Sequence, residues 1–237
     1  TADSYLGEVK GVLVSTAPGA TLIDITHQVP PGDVRAGQFL LDRVWRGFPR
    51  GTVHFVVVDP GVGTARRAIA AEAEGSLFVA TDTGLLSPLP PPPETKFVAL
   101  PVPETAAPTF HGRDVFAPAA ARLAGGVLLE QLGRPITDPY RSPLPSPRFD
   151  GVGWTGEVLY IDRFGTLVTN LPAERVEPGV RIRVGGTDVG PLRRTFGDVE
   201  RGQLVAFAGS GGSVEVAVRD GSAARLLGVG GGAEVRA

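Results

Sequence analysis

The sequence predicts an α/β domain followed by a smaller all-β domain. Strand-like and helix-like segments alternate through the first half of the 237 residues, as in a layered α/β fold with a mainly parallel sheet. The second half has only short β-type runs between Gly-rich turns, as in a small barrel or sandwich. The proline-rich stretch at residues 141–147 is typical of a linker. We therefore expect an N-terminal domain over residues 1–142, a linker over 143–150 and a β domain over 151–237.

Two helices and four strands are predicted in the first half. Residues 33–45 predict a helix because Asp33 is a suitable N-cap and apolar side chains recur at helical spacing. A second helix is predicted over residues 114–123, capped by Asp114 and closed by the glycine pair that follows Ala124. The predicted strands are residues 12–14, 21–25, 53–58 and 77–80. The third of these is a nearly continuous apolar, β-branched run, which is typical of a strand covered on both faces.

The β domain is predicted from five short runs rich in β-branched and aliphatic residues, with no long helical pattern beside them. These runs are residues 157–161, 167–169, 180–184, 204–208 and 214–218. The turns between them favour a closed or two-layered β structure.

Composition and charge exclude several classes of function. The net charge is −2 at pH 7 and charges of both signs are spread along the chain, so we expect no nucleic-acid partner. No apolar run approaches the roughly 20 residues of a membrane-spanning helix, and no secretory signal is visible, so we expect a cytoplasmic protein without a membrane partner. The chain has no cysteine, and its three histidines have a spacing that matches no zinc motif, so we expect neither thiolate nor metal chemistry.

The most informative segment is VVVDPGVGTARR at residues 56–67. The predicted strand delivers Asp59 to its carboxyl end, which is the edge of an open α/β sheet where ligands bind. The Pro-Gly-Val-Gly turn that follows can bring backbone N–H groups close to a ligand. Arg66 is near enough in sequence to return and pair with Asp59. A tight turn with a structural ion pair explains the same pattern.

A second segment, residues 110–114, places His111 just before a predicted helix and beside a glycine that permits close approach. Histidine is the natural proton carrier near neutral pH, but a loop histidine can also serve as a hydrogen-bond donor where a helix begins. His54, inside an apolar strand, is predicted to be a core residue, and His27 to organise a loop.

In the β domain, Asp162 and Phe164 lie two residues apart. On a strand or in a tight turn such a pair projects to the same side, where it can seat an amine and a flat base. An ordinary β-turn between two strands explains the spacing equally well, so both interpretations stay open.

Together these motifs resemble the S-adenosyl-L-methionine hydroxide adenosyltransferases, which are adenosine-forming hydrolases related to the bacterial fluorinase and chlorinase. The matching motifs are DITH at residues 24–27, FPxGTVH at 48–54, VVDPGVGTxR at 57–66, GLL at 84–86, FHGRDxFAP at 110–118 and IDxFGxxxTN at 161–170. They follow the family's order across almost the whole chain. The sequence departs from the family where Thr166 replaces an asparagine and where Gly209-Ser210 replaces an Asn-Ser turn.

The resemblance implies a three-layer α/β/α N-terminal domain, a C-terminal β barrel and a homotrimer with substrate sites at the subunit interfaces. It implies a catalytic trio of Asp59, Arg66 and His111. The fluorinase has tyrosine in place of the first and third of these, so the ionisable trio favours water over halide as the nucleophile. Further implied substrate contacts are Phe110, Phe164 and the backbone near Val218 around adenine, and Asp162, Thr166, Ser210, Glu215 and Asp3 at the methionine or the ribose. No cofactor is expected, because S-adenosyl-L-methionine is itself the substrate.

The implied reaction is in-line attack of water on C5′ of the ribose, with methionine leaving as a neutral thioether. Water then needs a proton acceptor and cationic stabilisation. We expect Asp59 and His111 to hold the water and Arg66 to stabilise developing hydroxide. Which member of the trio takes the proton stays open at this stage, because coupled groups titrate as a unit. Halide-dependent adenosyl transfer, or a non-catalytic sensor of S-adenosylmethionine or adenosine, are the alternative functions.

Overall fold

The computed structural model describes residues 3–237 and separates the chain into two compact units. The first unit ends at Pro143 and the second runs Leu144–Ala237. Arg148 and Phe149, at the end of the predicted linker, form a short strand of the second unit. None of the helices within the described residues is long and apolar enough to cross a membrane.

Among its described residues, the first unit contains three α-helices and a five-stranded sheet. The helices are α1 (Tyr5–Thr16), α2 (Val34–Val44) and α3 (Ala117–Ala124). The strands are β1 (Val53–Val56), β2 (Ala68–Ala73), β3 (Ser76–Thr81), β4 (Lys96–Leu100) and β5 (Arg134–Ile136), in the order β1-β3-β2-β4-β5. Short 3₁₀ turns occur at Trp45–Gly47 and Leu129–Gln131, and a π-helical turn at Gly112–Phe116.

The sheet is mainly antiparallel, so the expectation of a mainly parallel sheet is wrong. Among the described strands of this unit, only β1 and β3 run parallel. The β2–β3 pair is antiparallel because a two-residue turn joins these strands, in which Glu74 and Gly75 have φ values of 50° and 82°. Positive φ at both central residues is typical of a type I′ hairpin, which joins adjacent strands antiparallel without a crossover helix.

Helices cover both faces of this sheet, which confirms the three-layer α/β/α architecture. Ala70 of β2 lies in one core cluster together with Leu123 of α3. Its neighbour Ile69 lies in a second cluster together with Leu41 of α2. Because successive side chains of a strand point to opposite faces, each face of the sheet has a core of its own.

The predicted strand at residues 12–14 is wrong, because these residues lie inside α1. Leu13 packs against the cluster on the α3 side of the sheet, and Val9, four residues earlier, is buried. Residues four apart share one helix face, so burial of that face outweighs the β preference of the two valines in the run.

The predicted strand at residues 21–25 is also wrong, since the segment has no regular secondary structure and pairs with no described strand. It lines a cleft of about 690 Å³ together with β1. Side-chain contacts rather than strand pairing fix this segment. Lys10 Nζ lies 2.6 Å from Asp24 Oδ2, and His27 Nε2 lies 3.0 Å from Asp24 Oδ1.

Three other predicted elements are confirmed. Helix α2 begins after Asp33, whose Oδ1 accepts a hydrogen bond from the backbone N–H of Ala36 at 2.9 Å. The apolar run at residues 53–58 contains β1, which ends two residues earlier than predicted, and its side chains contribute to both core clusters. The run at residues 77–80 lies within β3.

The second predicted helix exists, but Asp114 is not its N-cap. A π-helical turn precedes α3, so Asp114 lies within the first turn rather than before it. Asp114 Oδ2 instead accepts a hydrogen bond from the N–H of Ala107 at 2.8 Å, and Arg113 Nε donates to its Oδ1 at 2.7 Å. The helix ends at Gly125, as predicted.

The second unit is a seven-stranded β barrel, which confirms the barrel and excludes the sandwich. Its strands are β6 (Arg148–Phe149), β7 (Trp154–Ile161), β8 (Leu167–Pro172), β9 (Arg181–Val184), β10 (Thr187–Arg193), β11 (Leu204–Ala208), β12 (Ser213–Val218) and β13 (Glu234–Arg236), with one short helix, α4 (Ala223–Leu227). Pairing of β13 with both β7 and β9 closes the ring, and β6 adds to its outside. Alternate strand residues, such as Val214 and Val216, fill the interior.

His54 is a core residue, as the sequence predicted. It is 8% exposed, and its ring stacks on Phe78 with centroids 4.9 Å apart and meets Phe48 edge-on. Its Nε2 is buried with no hydrogen-bond partner among the described residues. Burial disfavours the charged imidazolium and lowers the pKa of His54 below its usual value near 6.5.

A His54→Phe variant should be less sensitive to acid than the wild type. The unfolded chain binds a proton at this histidine below about pH 6.5, whereas the folded chain resists it, so the free energy of unfolding falls as pH drops below that value. Urea unfolding between pH 7.5 and 5.5 should show a shallower acid-side decline for His54→Phe. Phe48→Leu, which alters the packing but keeps the titrating ring, should retain the wild-type decline; parallel curves for wild type and His54→Phe would contradict this assignment.

Candidate active site

The turn after β1 brings Asp59 and Arg66 together. Asp59 follows the carboxyl end of β1 by three residues, and the preceding carbonyl of Val58 accepts a hydrogen bond from Thr81 Oγ1 at 3.2 Å. The chain then folds back, with Thr64 Oγ1 donating to the carbonyl of Gly61 at 2.7 Å. This short closed turn returns Arg66 to the carboxylate.

Asp59 and Arg66 form a two-pronged ion pair. Arg66 Nε donates to Asp59 Oδ1 at 2.9 Å, and Arg66 Nη2 donates to Asp59 Oδ2. The N–H of Gly61 also donates to Oδ1, at 3.2 Å. The side chains of Arg66 and Asp59 are only 8% and 10% exposed. Since two charges are costly to bury unless their geometry matches, the fork of the guanidinium is essential to this arrangement.

Gly61 provides the space for the returning arginine. A Cβ at this position would lie 3.1 Å from Arg66 Cγ and 3.2 Å from Thr64 Oγ1. Both distances are shorter than ordinary van der Waals contact, so a larger residue would displace the stem of Arg66. The glycine that the sequence suggested for ligand approach therefore accommodates a side chain of the same chain.

His111 joins the pair from the N-terminal end of the π-helical turn. It is 7% exposed, and its Nδ1 lies 3.0 Å from Arg66 Nη2. Asp59 Oδ2 and His111 Nδ1 thus both contact the same nitrogen of Arg66. The structure brings together all three residues that the sequence singled out; a catalytic role for them stays a prediction.

Phe116 is a neighbour of the trio that sequence reasoning missed. Its ring is fully buried, and Arg66 Cζ lies 5.3 Å from the ring centroid, within the range of a cation–π contact. Phe116 and His111 stand at the two ends of one π-helical turn, and both reach the same guanidinium. Such turns are rare and frequent at functional sites. The sequence did contain a signal for this neighbour, because Phe116 follows His111 by five residues within the motif at residues 110–118.

Arg66 Nη1 is buried and has no hydrogen-bond partner among the described residues. An arginine can donate five hydrogens, and here the described partners contact only Nε and Nη2. Buried donors without partners are rare in folded proteins and often indicate a ligand or water. Nη1 is therefore a donor that an oxygen atom can satisfy.

Phe110 is held beside His111 by a charged network. Arg113 Cζ lies 4.8 Å from the Phe110 ring centroid, and Tyr5 meets that ring edge-on at 5.0 Å. Arg113 in turn bonds Asp114 and, at 2.9 Å, Glu8 Oε2 of α1. The hydrogen bond from Arg113 lowers the pKa of the Asp114 carboxyl, with a further contribution from the N–H of Ala107.

Three predicted ligand residues of the barrel unit share the turn between β7 and β8. Asp162 Oδ1 accepts hydrogen bonds from the N–H groups of Phe164 and Thr166, both at 2.9 Å. This is the ordinary turn that the sequence left open, and it presents Phe164, 64% exposed, with the guanidinium of Arg163 4.4 Å from its ring centroid. Thr166 is buried. The turn thus fixes Asp162 and leaves the Phe164 ring able to contact a ligand.

The other predicted ligand residues lie on separate elements. Glu215 lies on β12 and Ser210 in the turn before it, where Ser210 is exposed. The side chain of Val218 belongs to the barrel core, so only its backbone can contact a ligand. Asp3 precedes α1, where its Oδ1 accepts a hydrogen bond from the N–H of Tyr5 at 3.2 Å. Within residues 3–237, no group of three or more histidines, aspartates or glutamates is arranged to hold a metal ion.

Comparison with known proteins gives the family. Residues 1–133 match the SAM hydroxide adenosyltransferase N-terminal domain, and residues 156–236 match the C-terminal domain of the same family. The chain belongs to the SAM hydroxide adenosyltransferase family. It is 44% identical over 246 residues to a protein of Thermus thermophilus named (R)-S-adenosyl-L-methionine hydrolase, covering 99% of this chain and 94% of that protein. A fluorinase of an Actinoplanes species is more distant, at 29% identity over 92% of this chain and 87% of the fluorinase.

Two solved structures share the fold of this chain over almost its whole length. An uncharacterized conserved protein from Thermotoga maritima superposes with a TM-score of 0.89 at 34% identity, covering 99% of this chain and 95% of that one. A conserved hypothetical protein from Thermus thermophilus gives a TM-score of 0.82 at 42% identity, covering 99% of this chain and 94% of that one. Both similarities therefore extend beyond the two domains matched by the family, to nearly every residue of this chain.

The Asp59–Arg66 pair should show strong energetic coupling in the folded protein. A double-mutant cycle with Asp59→Asn and Arg66→Gln, measured by urea unfolding, should give a coupling of about 2 kcal/mol, because removing one partner leaves a buried charge behind. The matched cycle on the exposed pair Lys96–Glu130, whose side chains are 63% and 52% exposed, should give a much smaller coupling, because water and salt screen it. Equal coupling in the two cycles would contradict the importance of burial.

Proposed function

We propose that this chain hydrolyses S-adenosyl-L-methionine to adenosine and L-methionine, by attack of water on C5′ of the ribose. The observation that carries the proposal is the buried convergence of Asp59 and His111 on one nitrogen of Arg66. The names of the relatives from Thermus thermophilus and two Salinispora species, each (R)-S-adenosyl-L-methionine hydrolase at 42–44% identity, support the same reaction.

In this reaction the step that needs help from the protein is activation of the attacking water. Methionine leaves as a neutral thioether, so no acid is needed to protonate the leaving group. Water is a weak nucleophile at pH 7 and needs an acceptor for its proton together with stabilisation of the developing hydroxide. The trio offers a carboxylate, an imidazole and a guanidinium with a buried free donor on Nη1. The proposed reaction uses no cofactor, because the sulfonium itself activates C5′.

Substrate binding in this proposal uses aromatic and polar groups. Phe110 and Phe164 supply flat faces for adenine, and the exposure of Phe164 is consistent with that role. Asp162, Glu215 and Ser210 are proposed for the polar groups of methionine and ribose, with Thr166, the backbone of Val218 and Asp3 as further contacts. Holding C5′ in line with the water supplies much of the rate, because orientation alone can contribute roughly 7–11 kcal/mol.

Halide-dependent adenosyl transfer is the second candidate, favoured by the similarity to the fluorinase. The trio argues against it, because a halide ion needs no proton acceptor and gains nothing from a carboxylate beside it. A non-catalytic sensor would need the same pocket but no activated water. Product analysis therefore distinguishes both alternatives from hydrolysis. Halide transfer gives a halogenated nucleoside, and a sensor gives no product.

Incubation with S-adenosyl-L-methionine in ¹⁸O-labelled water should place the label in the 5′-hydroxyl of adenosine and leave methionine unlabelled. Mass spectrometry of both products measures this directly. Asp59→Asn should slow the reaction by roughly 10²–10⁴-fold, which is the usual contribution of a positioned acid or base. Formation of 5′-chloro-5′-deoxyadenosine in chloride would point to halide transfer, and tight binding without methionine release would point to a sensor.

We propose further that the chain assembles as a homotrimer whose sites receive residues from neighbouring subunits. The particle should then have three times the 24.6 kDa mass of the chain in light scattering. Asp59→Asn and Phe164→Ala subunits, each inactive alone, should recover roughly a quarter of the wild-type rate when they are coexpressed, because random mixing pairs intact residues from different subunits. No recovery from verified mixed trimers would show that each subunit builds its site alone.

A further inference from the structure

The contacts of Arg66 determine where the protons of the trio lie. A guanidinium nitrogen only donates hydrogen bonds and has no lone pair to accept one. Arg66 Nη2 lies 3.0 Å from His111 Nδ1, so Nδ1 must be the acceptor in this contact. An accepting Nδ1 carries no proton, and a neutral imidazole then carries its single proton on Nε2. The ring of His111 therefore presents an N–H group through the nitrogen that is turned away from Arg66.

This tautomer cannot take a proton from water while the contact with Arg66 persists. Nε2 already holds its hydrogen, and Nδ1 could be protonated only by giving up the hydrogen bond from Nη2. The buried guanidinium, 8% exposed and fixed by Asp59 on its other edge, has no freedom to turn aside. His111 is thus a hydrogen-bond donor in this arrangement.

The carboxylate of Asp59 has the remaining acceptor capacity, and its two oxygens are not equivalent. Oδ1 accepts from Arg66 Nε at 2.9 Å and from the N–H of Gly61 at 3.2 Å, which occupies both of its lone pairs. Oδ2 accepts only from Arg66 Nη2 among the described hydrogen bonds. A carboxylate offers about four acceptor positions in all, so the one left lies on Oδ2.

We propose that Asp59 Oδ2 is the atom that takes the proton of the attacking water, and that His111 donates through Nε2–H to the water oxygen. This assignment rests on the hydrolysis proposed above. The water O–H bond breaks with its proton going to Oδ2, the oxygen forms the new bond to C5′, and the C5′–S electron pair leaves with methionine. The donor on Nε2 stabilises the negative charge that develops on oxygen, and Asp59 later releases its proton to solvent.

Long-range ¹H–¹⁵N NMR of histidine rings tests the tautomer on the full chain without substrate. The chain has three histidines, so spectra of His111→Gln and His27→Gln variants assign the signals. His111 should show an unprotonated, hydrogen-bonded Nδ1 and a protonated Nε2 at pH 7. Arg66→Lys, which lacks the fork, should change this pattern, whereas the neighbouring Arg67→Lys should not. A protonated Nδ1 or a doubly protonated ring in the wild type would overturn the assignment even if hydrolysis is established.

Kinetics test the division of roles. His111→Gln keeps an amide donor and should retain turnover within about tenfold of the wild type, whereas Asp59→Asn, which cannot accept a proton, should lose roughly 10²–10⁴-fold. Circular dichroism melts check that each variant is folded. If a variant does not fold, the NMR spectrum of the wild type still tests the tautomer. Equal losses in both folded variants would contradict this division of roles, and a larger loss in His111→Gln than in Asp59→Asn would assign the base to His111 instead. An absence of turnover in the wild type would refute the proposed hydrolysis. The tautomer of His111 would still be tested by NMR, which does not depend on activity.

Discussion

The buried ion pair between Asp59 and Arg66 determines the geometry of the candidate site. Two charges with side chains about one-tenth exposed are stable together only if every donor and lone pair is well matched. The fork of Arg66 meets both oxygens of Asp59, so the plane of the guanidinium is fixed by the end of β1. Any further partner must approach Nη1 or the outer edge of Nη2, and His111 occupies the second position.

The surrounding fold supports this pair from two directions. On one side, the turn after β1 is narrow, and Gly61 leaves room for the stem of Arg66 where a Cβ would lie only 3.1 Å from its Cγ. On the other side, the π-helical turn brings both His111 and Phe116 to the guanidinium, which an α-helical turn of 3.6 residues does not do for positions five apart. The ring of Phe116 is an apolar surface that attracts a cation. It therefore limits movement of Arg66 without accepting any of the hydrogen bonds that the guanidinium donates.

Local patterns in the sequence predicted the parts of the fold that depend on local chemistry. The capped helix after Asp33 and the apolar strand leading to Asp59 were visible because their periodicity and capping are encoded within a few residues. Strand β2 was not visible, since four of its six residues are alanine and its pairing follows from the Glu74-Gly75 turn and from partners distant in sequence. The trio could be singled out as residue types, but the tautomer of His111 depends on which ring nitrogen meets Arg66, and only coordinates give that.

Charge balance links these contacts to the proposed reaction. Asp59 and Arg66 neutralise each other, and His111 in the Nε2–H tautomer is uncharged, so the trio has no net charge and does not repel a cationic sulfonium. During attack the sulfonium becomes a neutral thioether while Asp59 Oδ2 gains a proton, and the positive charge of the substrate is thereby transferred to Arg66, which is no longer neutralised. A buried, unpaired guanidinium is unfavourable, so loss of the proton from Asp59 to solvent is favoured and restores the pair. The same ion pair that fixes the geometry of the site therefore also returns it to its starting state after each turnover.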